Sequence, residues 1–167
     1  MEIALQTCLE MLRIRSCTIR EIEAEKILAT TRDGDDIIVI FSNVAKLNIN
    51  VIKEYIKVIE ELHINRVIIV FSGVITSSAK KVIENLFHIK IELFCNQELL
   101  FNITTHKLYR PHEQVIEPEL SILKKKYGAK LPILLRTEPV ARFHGFEKSD
   151  LIKITRKEGF VSYRCVK

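Results

Sequence analysis

"DIIVIF" at residues 36–41 is the stretch that decides the fold, because it is short, rich in β-branched residues and almost wholly apolar. Runs of this kind are typical of strands that are covered on both faces. "RVIIVF" at 66–71 repeats the pattern, and "HIKIELF" at 88–94 supplies a third strand. Apolar residues at helical spacing fill the intervals 51–62 and 77–87. This β-α-β-α-β order predicts an α/β domain with a mostly parallel, helix-covered sheet.

The residues before this sheet predict two helices and a turn. Residues 2–13 carry apolar side chains at helical spacing. In "TIRE", Thr18 lies three residues before Glu21, which is the spacing of a capping box. We therefore expect a second helix over 19–29. "RDGDD" at 32–36 then indicates a turn into the first strand.

The C-terminal residues predict a small α+β domain. Pro118 and Gly128 suit the first turn and the end of a helix over 118–127. Thr137 is a candidate cap for a short helix that begins near Pro139, as Asn50 is for helix 51–62. "DLIKITR" and "FVSYRCV", joined by "KEG", predict an antiparallel hairpin.

We expect the chain to divide into two domains, residues 1–112 and residues 113–167. Positive charge is concentrated in the second. Residues 113–167 contain 12 Lys and Arg against 7 Asp and Glu, whereas residues 1–112 contain 14 of each. The whole formal net charge of +5 therefore belongs to the C-terminal domain. Such an excess indicates an acidic partner, either nucleic acid or an acidic protein surface, with a solvated basic face as the alternative.

No motif for catalysis, cofactor binding or membrane insertion is found. No Gly-rich phosphate-binding loop follows a predicted strand, so no cofactor is expected. The acidic residues at 33–36 fit a turn before a strand without a metal, and the five histidines lack motif-level partners. Four isolated cysteines fit a reducing compartment. No apolar run approaches the roughly 20 residues that span a bilayer, and the first residues do not resemble a signal peptide.

A dense, ordered set of motifs resembles the C-terminal assembly domain of the fifth common subunit of eukaryotic RNA polymerases, a domain that forms a whole small polymerase subunit in archaea. The family pattern is L-P-x-I, then D-P-V-A-R-Y-Y-G-L, V-V-K-I-x-R and Y-x-S-Y-R-x-V. The matching residues here are Leu131, Pro132, Pro139, Val140, Ala141, Arg142, Gly145, Lys153, Ile154, Arg156, Ser162, Tyr163, Arg164 and Val166.

The resemblance continues upstream of this domain. "FNITTHKLYRPH" at 101–112 is similar to the family's V-N-I-T-x-H-x-L-V-P-x-H, and "GVITSSAKKV" at 73–82 is similar to N-I-T-P-S-A-x-K-x-V. The departures include Glu138 for aspartate, Phe143-His144 for two tyrosines, Ser77 for proline, and a shorter turn at Lys157–Gly159. A compressed pattern of this kind fits a homologue encoded by a large DNA virus or a divergent cellular lineage, and the residues leave both open.

The resemblance implies a non-catalytic subunit of a multisubunit DNA-directed RNA polymerase. The C-terminal domain would dock on the largest subunit, and the N-terminal domain would form the lower jaw beside downstream duplex DNA. Polymerase subunits, rather than a second copy of this chain, are the expected partners. The compartment would be the nucleus for a cellular protein, or the host cytoplasm or virion for a protein of a cytoplasmic DNA virus.

The residues that the resemblance assigns to each surface can be named. The hairpin is expected to offer an edge and a basic face, where arginine can pair with partner carboxylates. The candidate docking residues are Pro139, Arg142, Arg156, Tyr163 and Arg164. The candidates near DNA, whose contacts would carry no base specificity, are Thr76, Ser77, Ser78, Lys80 and Lys81.

Each assignment has an alternative. Arg142 and Arg164 would otherwise only brace the small domain, and Thr76 and Ser78 would only cap a helix. At the level of function, the alternatives are a stand-alone metal-dependent nuclease and an adaptor for transcription regulators.

Overall fold

The computed structural model describes residues 2–167, except the side chain of Ala129. The chain forms two compact units, the first ending at Phe101 and the second comprising Asn102–Lys167. The division therefore lies earlier than the boundary expected after residue 112. Residues just before 112 belong with the second unit because the carbonyl of Pro111 accepts a 3.1 Å hydrogen bond from the amide of Thr155.

The first unit contains the predicted parallel strands within a mixed sheet. In chain order its elements are α1 (Glu2–Ile14), β1 (Thr18–Ile22), β2 (Lys26–Thr30), β3 (Asp36–Ser42), β4 (Lys46–Leu47), α2 (Ile49–Glu61), β5 (Arg66–Phe71), β6 (Val74–Ile75), α3 (Ser77–Glu84) and β7 (Lys90–Cys95). The five-stranded sheet has the order β1-β2-β3-β5-β7. Its strands β3, β5 and β7 are parallel, as predicted.

The prediction of a helix over 19–29 is wrong. These residues form the antiparallel strands β1 and β2, and β2 pairs with the edge of β3. Glutamate, alanine and lysine favour a helix locally. The strand conformation instead buries Ile27 and Ala29, two residues apart, on one face of the sheet. Burial and ladder hydrogen bonds therefore outweigh local propensity.

Helices cover both faces of this sheet. α2 and α3 lie on one face, where Ile52, Ile59 and Ala79 pack with Ile38 and Ile69 of the strands. α1 is tied to the other face, because Arg15 at its end donates two hydrogen bonds to Glu92 of β7, at 3.0 and 2.8 Å. The helix-covered sheet expected from the sequence is therefore confirmed for this unit.

Two predicted helix caps are assigned to neighbouring residues instead. Asn48, rather than Asn50, caps α2, and its Oδ1 accepts from the amides of Asn50 and Val51. Glu138, rather than Thr137, precedes the helix that starts at Pro139. In both cases the cap is the residue with extended backbone immediately before the first helical residue.

The second unit is a four-stranded sheet with a helix on each face. Its elements are β8 (His112–Gln114), α4 (Glu119–Tyr127), β9 (Ile133–Leu134), α5 (Pro139–His144), β10 (Leu151–Thr155) and β11 (Val161–Val166). The strand order is β8-β10-β11-β9. The predicted hairpin is confirmed as β10 and β11. No helix in the described part of the chain is long and apolar enough to cross a bilayer.

Candidate docking and DNA-facing surfaces

The two faces of the C-terminal sheet are covered by different helices. Ile152 and Ile154 of β10 pack with Ala141 of α5 and with Phe146 on one face. Leu151, the neighbour of Ile152 along the strand, packs with Leu123 of α4 on the other. We call these the α5 face and the α4 face.

Three of the candidate docking residues belong to the α5 face. Arg164 lies opposite Ile152 in the β10–β11 register and therefore points to the same face. Arg156 donates to Ser162 at 3.5 Å, and Ser162 lies opposite Ile154. Arg142 belongs to α5 itself. The fold therefore associates Arg164 and Arg156 with the α5 face and Arg142 with the helix that covers it.

Tyr163 belongs to the opposite face. It packs against the cluster around Leu123, and its hydroxyl donates to Oε1 of Glu119 at 2.9 Å. This hydrogen bond is the main reason why the pKa of Tyr163 is raised. Adjacent residues on a strand point to opposite faces, so Tyr163 and Arg164 cannot serve one flat surface. Pro139 is exposed and is the first residue of α5, the helix that also contains Arg142.

The hairpin does not form an edge of the sheet, contrary to expectation. β8 flanks β10 and β9 flanks β11, so the two free edges belong to β8 and β9. The guanidinium of Arg164 reaches β9, where its Nη1 donates to the carbonyl of Ile133 at 3.2 Å. Arg164 therefore braces the sheet as well as presenting charge, as the alternative interpretation anticipated.

A cluster of rings contains two departures from the family pattern quoted above. The hydroxyl of Tyr109 lies 2.9 Å from Nε2 of His144, and their rings are stacked. His144 also stacks on Phe146, with 4.9 Å between centroids. Where the pattern has valine and tyrosine, this chain has Tyr109 and His144. The fold thus joins in space two departures that are 35 residues apart along the chain.

His112 completes this cluster and is half-buried. Its Nδ1 donates to the carbonyl of Arg110 at 2.5 Å. Burial is the largest influence and lowers the pKa of His112 from its usual 6.5. The hydrogen bond to Arg110 and the carboxylate of Glu138 raise this pKa, and the positive charge of Arg164 lowers it further. The folded chain therefore favours the neutral ring.

This lowered pKa predicts that acid weakens the C-terminal unit. The unfolded chain binds the proton near pH 6.5 while the folded chain still resists it, so stability is lost as pH falls from 6.5 towards the lower folded pKa. We expect His112→Asn, which cannot titrate, to lose less stability than the wild type between about pH 7.5 and pH 5. Urea denaturation at each pH measures this, and equal losses in both proteins would contradict it.

The residues predicted to lie near DNA are grouped at the start of α3. Thr76 is the cap, and its Oγ1 accepts from the amide of Ala79 at 3.2 Å. Ser77 occupies the first helical position, where proline is also favoured, which explains how serine replaces the family's proline. The side chains of Ser78, Lys80 and Lys81 are exposed.

A second short sheet supports this segment, and the sequence did not predict it. β4 and β6 pair in parallel, so that Lys46 lies beside Val74 and Leu47 beside Ile75. The approach of the two backbones is close: a Cβ on Gly73 would lie 1.9 Å from the carbonyl oxygen of Ala45. Gly73, the single glycine near a βα loop of the sheet, was the available signal for such an approach.

Two of the clustered aspartates of the first unit form ion pairs. Asp36 pairs with Arg20, and Asp35 lies 3.4 Å from Arg66. No group of three His, Cys, Asp or Glu side chains that could hold a metal ion is found among residues 2–167.

Comparison with known proteins agrees with this organisation. Residues 101–166 match the family model described as RNA polymerase Rpb5, C-terminal domain, and this match begins one residue before the second unit. A Dictyostelium discoideum protein named DNA-directed RNA polymerases I, II, and III subunit rpabc1 is 33% identical over 143 residues, which cover 79% of this chain and 73% of that protein. The chain belongs to the Rpb5 family of RNA polymerase subunits.

Other Rpb5-family relatives are both viral and cellular. A putative DNA-directed RNA polymerase subunit of Invertebrate iridescent virus 6 is 39% identical over 113 residues, covering 60% of this chain and 61% of the relative. The Caenorhabditis elegans subunit RPABC1 of polymerases I, II and III is 33% identical over 141 residues, covering 80% and 67%. The chain thus spans less than two thirds of the viral relative.

Proposed function

We propose that this chain is a non-catalytic subunit of a DNA-directed RNA polymerase. The observation that carries the proposal is the alignment with relatives that are named as polymerase subunits, in which one family match covers nearly the whole C-terminal unit. Nucleotidyl transfer would take place in other subunits. The chain would act in the nucleus if cellular, or in host cytoplasm or virion if encoded by a cytoplasmic DNA virus.

The C-terminal unit would act as the assembly domain that docks on the largest subunit. The α5 face supports this role because Arg142, Arg156 and Arg164 present planar cations that can form paired hydrogen bonds with partner carboxylates. A charge in the centre of an interface contributes more than one at the rim. The N-terminal unit would form the jaw, with Thr76 to Lys81 facing the backbone of downstream duplex DNA.

Reversing the charge of Arg164 is the direct test of docking. We expect Arg164→Glu to weaken association with the polymerase by about 2 kcal/mol or more, roughly 30-fold, because a carboxylate would face the partner's acidic group. The measurement is recovery of the largest subunits with the tagged full-length chain from native extract, followed by mass spectrometry. Arg164→Lys, which keeps the charge and loses the fork, should have an intermediate effect.

Lys125→Glu is the matched control, because Lys125 is exposed on α4 across the sheet. The docking role of Arg164 is contradicted if both glutamate variants recover equal amounts of polymerase. The subunit proposal itself is contradicted if the wild-type chain recovers no polymerase subunits, and recovery of transcription regulators alone would indicate an adaptor instead.

A further inference from the structure

The positive charges without ion-pair partners are unevenly placed in the N-terminal unit. Lys26, Lys57, Lys90, Arg15, Arg20 and Arg66 each pair with a carboxylate. Among the described residues of this unit, six exposed Lys and Arg side chains have no such partner, and they are Arg13, Arg32, Lys46, Lys53, Lys80 and Lys81. Four of these six belong to β4, α2 and α3.

The pairing of β4 with β6 explains why these four lysines lie together. The register places Leu47 beside Ile75, so the caps that follow, Asn48 and Thr76, begin α2 and α3 at matching positions. α2 and α3 then pack side by side on one face of the sheet. Lys53 is the fifth residue after the cap of α2.

Lys80 and Lys81 are the fourth and fifth residues after the cap of α3. They therefore lie about as far from the start of their helix as Lys53 lies from the start of the neighbouring α2. Lys46 lies on β4, just before the start of α2 and beside Val74 of β6. All four follow the carboxyl ends of the parallel strands β3 and β5, and we call them the lysine edge. Arg32, by contrast, lies in the turn before β3, near the amino ends of the parallel strands.

Among the described residues, no carboxylate lies within ion-pair distance of these four lysines. Neither α2 nor α3 has an acidic residue in its first turn, and the first acids along the two helices are Glu54 and Glu84. Residues 1–112 as a whole carry no net charge. The unit that ends at Phe101 contains 12 Lys and Arg against 14 Asp and Glu, so a cationic strip spread over three elements is a local feature. Such a strip suits the regularly spaced phosphates of a nucleic acid backbone.

We propose that Lys46 and Lys53 contact the phosphate backbone of duplex DNA together with Lys80 and Lys81. This inference rests on the proposed function and adds two residues from a segment that resemblance did not assign. The contacts carry no base specificity, because lysine meets phosphate as a point charge. They come from β4 and α2, which the short β4–β6 sheet holds beside α3.

The test compares two charge-matched double variants of the full-length chain. Lys46→Gln with Lys53→Gln removes two charges from the lysine edge, and Arg13→Gln with Arg32→Gln removes two unpaired charges elsewhere in the same unit. Fluorescence anisotropy with a labelled duplex, between about 50 and 200 mM salt, gives the slope of log affinity against log salt. We expect the lysine variant to lower the slope by about 1.8, since each phosphate contact contributes about 0.9.

The arginine variant should leave the slope near the wild-type value, and Lys46→Arg with Lys53→Arg should retain it. Equal changes in the two glutamine variants, or no change in the lysine variant, would overturn the proposal. Poly-glutamate provides the competing partner: if the lysine variant loses affinity for poly-glutamate but not for duplex DNA, the edge is a protein-docking surface. Recovery of polymerase is measured separately, so failure of the subunit proposal and failure of the DNA contact are distinguishable.

Discussion

Replacing Gly73 by alanine is expected to separate β4 from β6 and destabilise the N-terminal unit by about 2–4 kcal/mol. The added Cβ would lie 1.9 Å from the carbonyl oxygen of Ala45 and 2.5 Å from its carbon. Both are backbone atoms and cannot rotate away, so the two loops must move apart. The hydrogen bonds from Val74 to Ala45 (3.2 Å) and from Thr76 to Leu47 (3.0 Å) would be lost or lengthened.

Urea denaturation followed by circular dichroism measures the free energy of unfolding, and hydrogen exchange of peptides covering 43–48 and 72–76 locates the change. Val74→Ala is the matched control, because the side chain of Val74 is 68% exposed and its removal should cost less than about 0.5 kcal/mol. A Gly73→Ala protein with unchanged stability and exchange would show that the backbones do not approach as described. The same variant should also reduce DNA affinity, because it displaces Lys46 from α3.

Replacing Ile152 by alanine is expected to destabilise the C-terminal unit by about 2–5 kcal/mol. Ile152 is fully buried on the α5 face, where it packs with Leu134, Ala141, Phe146 and Val166. Its strand has neighbours on both sides, β8 and β11, so the surroundings cannot easily collapse into the cavity. The loss should be confined to residues 102–167.

Lys153→Ala is the control for Ile152→Ala, since it also places alanine in the middle of β10, at the next residue, whose side chain points to the other face and is half-buried. Hydrogen exchange read by mass spectrometry reports each unit separately in the full-length chain. We expect faster exchange in peptides of 102–167 and little change before residue 101. Equal acceleration in both units would show that they unfold together, against the two-unit organisation.

Docking and stability can be separated by comparing these variants with Arg164→Glu. Ile152→Ala weakens the support beneath the α5 face, whereas Arg164→Glu changes its charge. If the face docks through its guanidinium groups, Arg164→Glu loses polymerase while exchange in 102–167 stays slow. Ile152→Ala loses polymerase only to the extent that exchange becomes fast.

Local sequence was sufficient to predict the elements whose own residue pattern specifies their conformation and burial. The runs at 36–41 and 66–71 are apolar enough to require cover on both faces, and the intervening helical stripes supply that cover. The C-terminal hairpin and the short helix after Glu138 were predictable for a related reason, because alternating residues, Pro139 and Gly145 specify them locally.

Elements that depend on a distant partner were not predictable. β4 and β6 have two residues each, too few for any periodic signal, and exist only through hydrogen bonds to another strand. The segment 19–29 has helical propensity but becomes strands because β3 offers an unpaired edge. Which helix covers the face of Tyr163 and which covers the face of Arg164 likewise depends on residues that are distant along the chain.

By itself, the sequence determined that this chain has a parallel core, a basic C-terminal domain and the motifs of the Rpb5 family, because apolar periodicity, charge and motif order are properties of neighbouring residues. Only the tertiary structure decided which strands lie at the edges, which side chains share the α5 face and which lysines stand together. Those depend on strand register and helix placement, whose free energy comes from contacts between residues far apart along the chain.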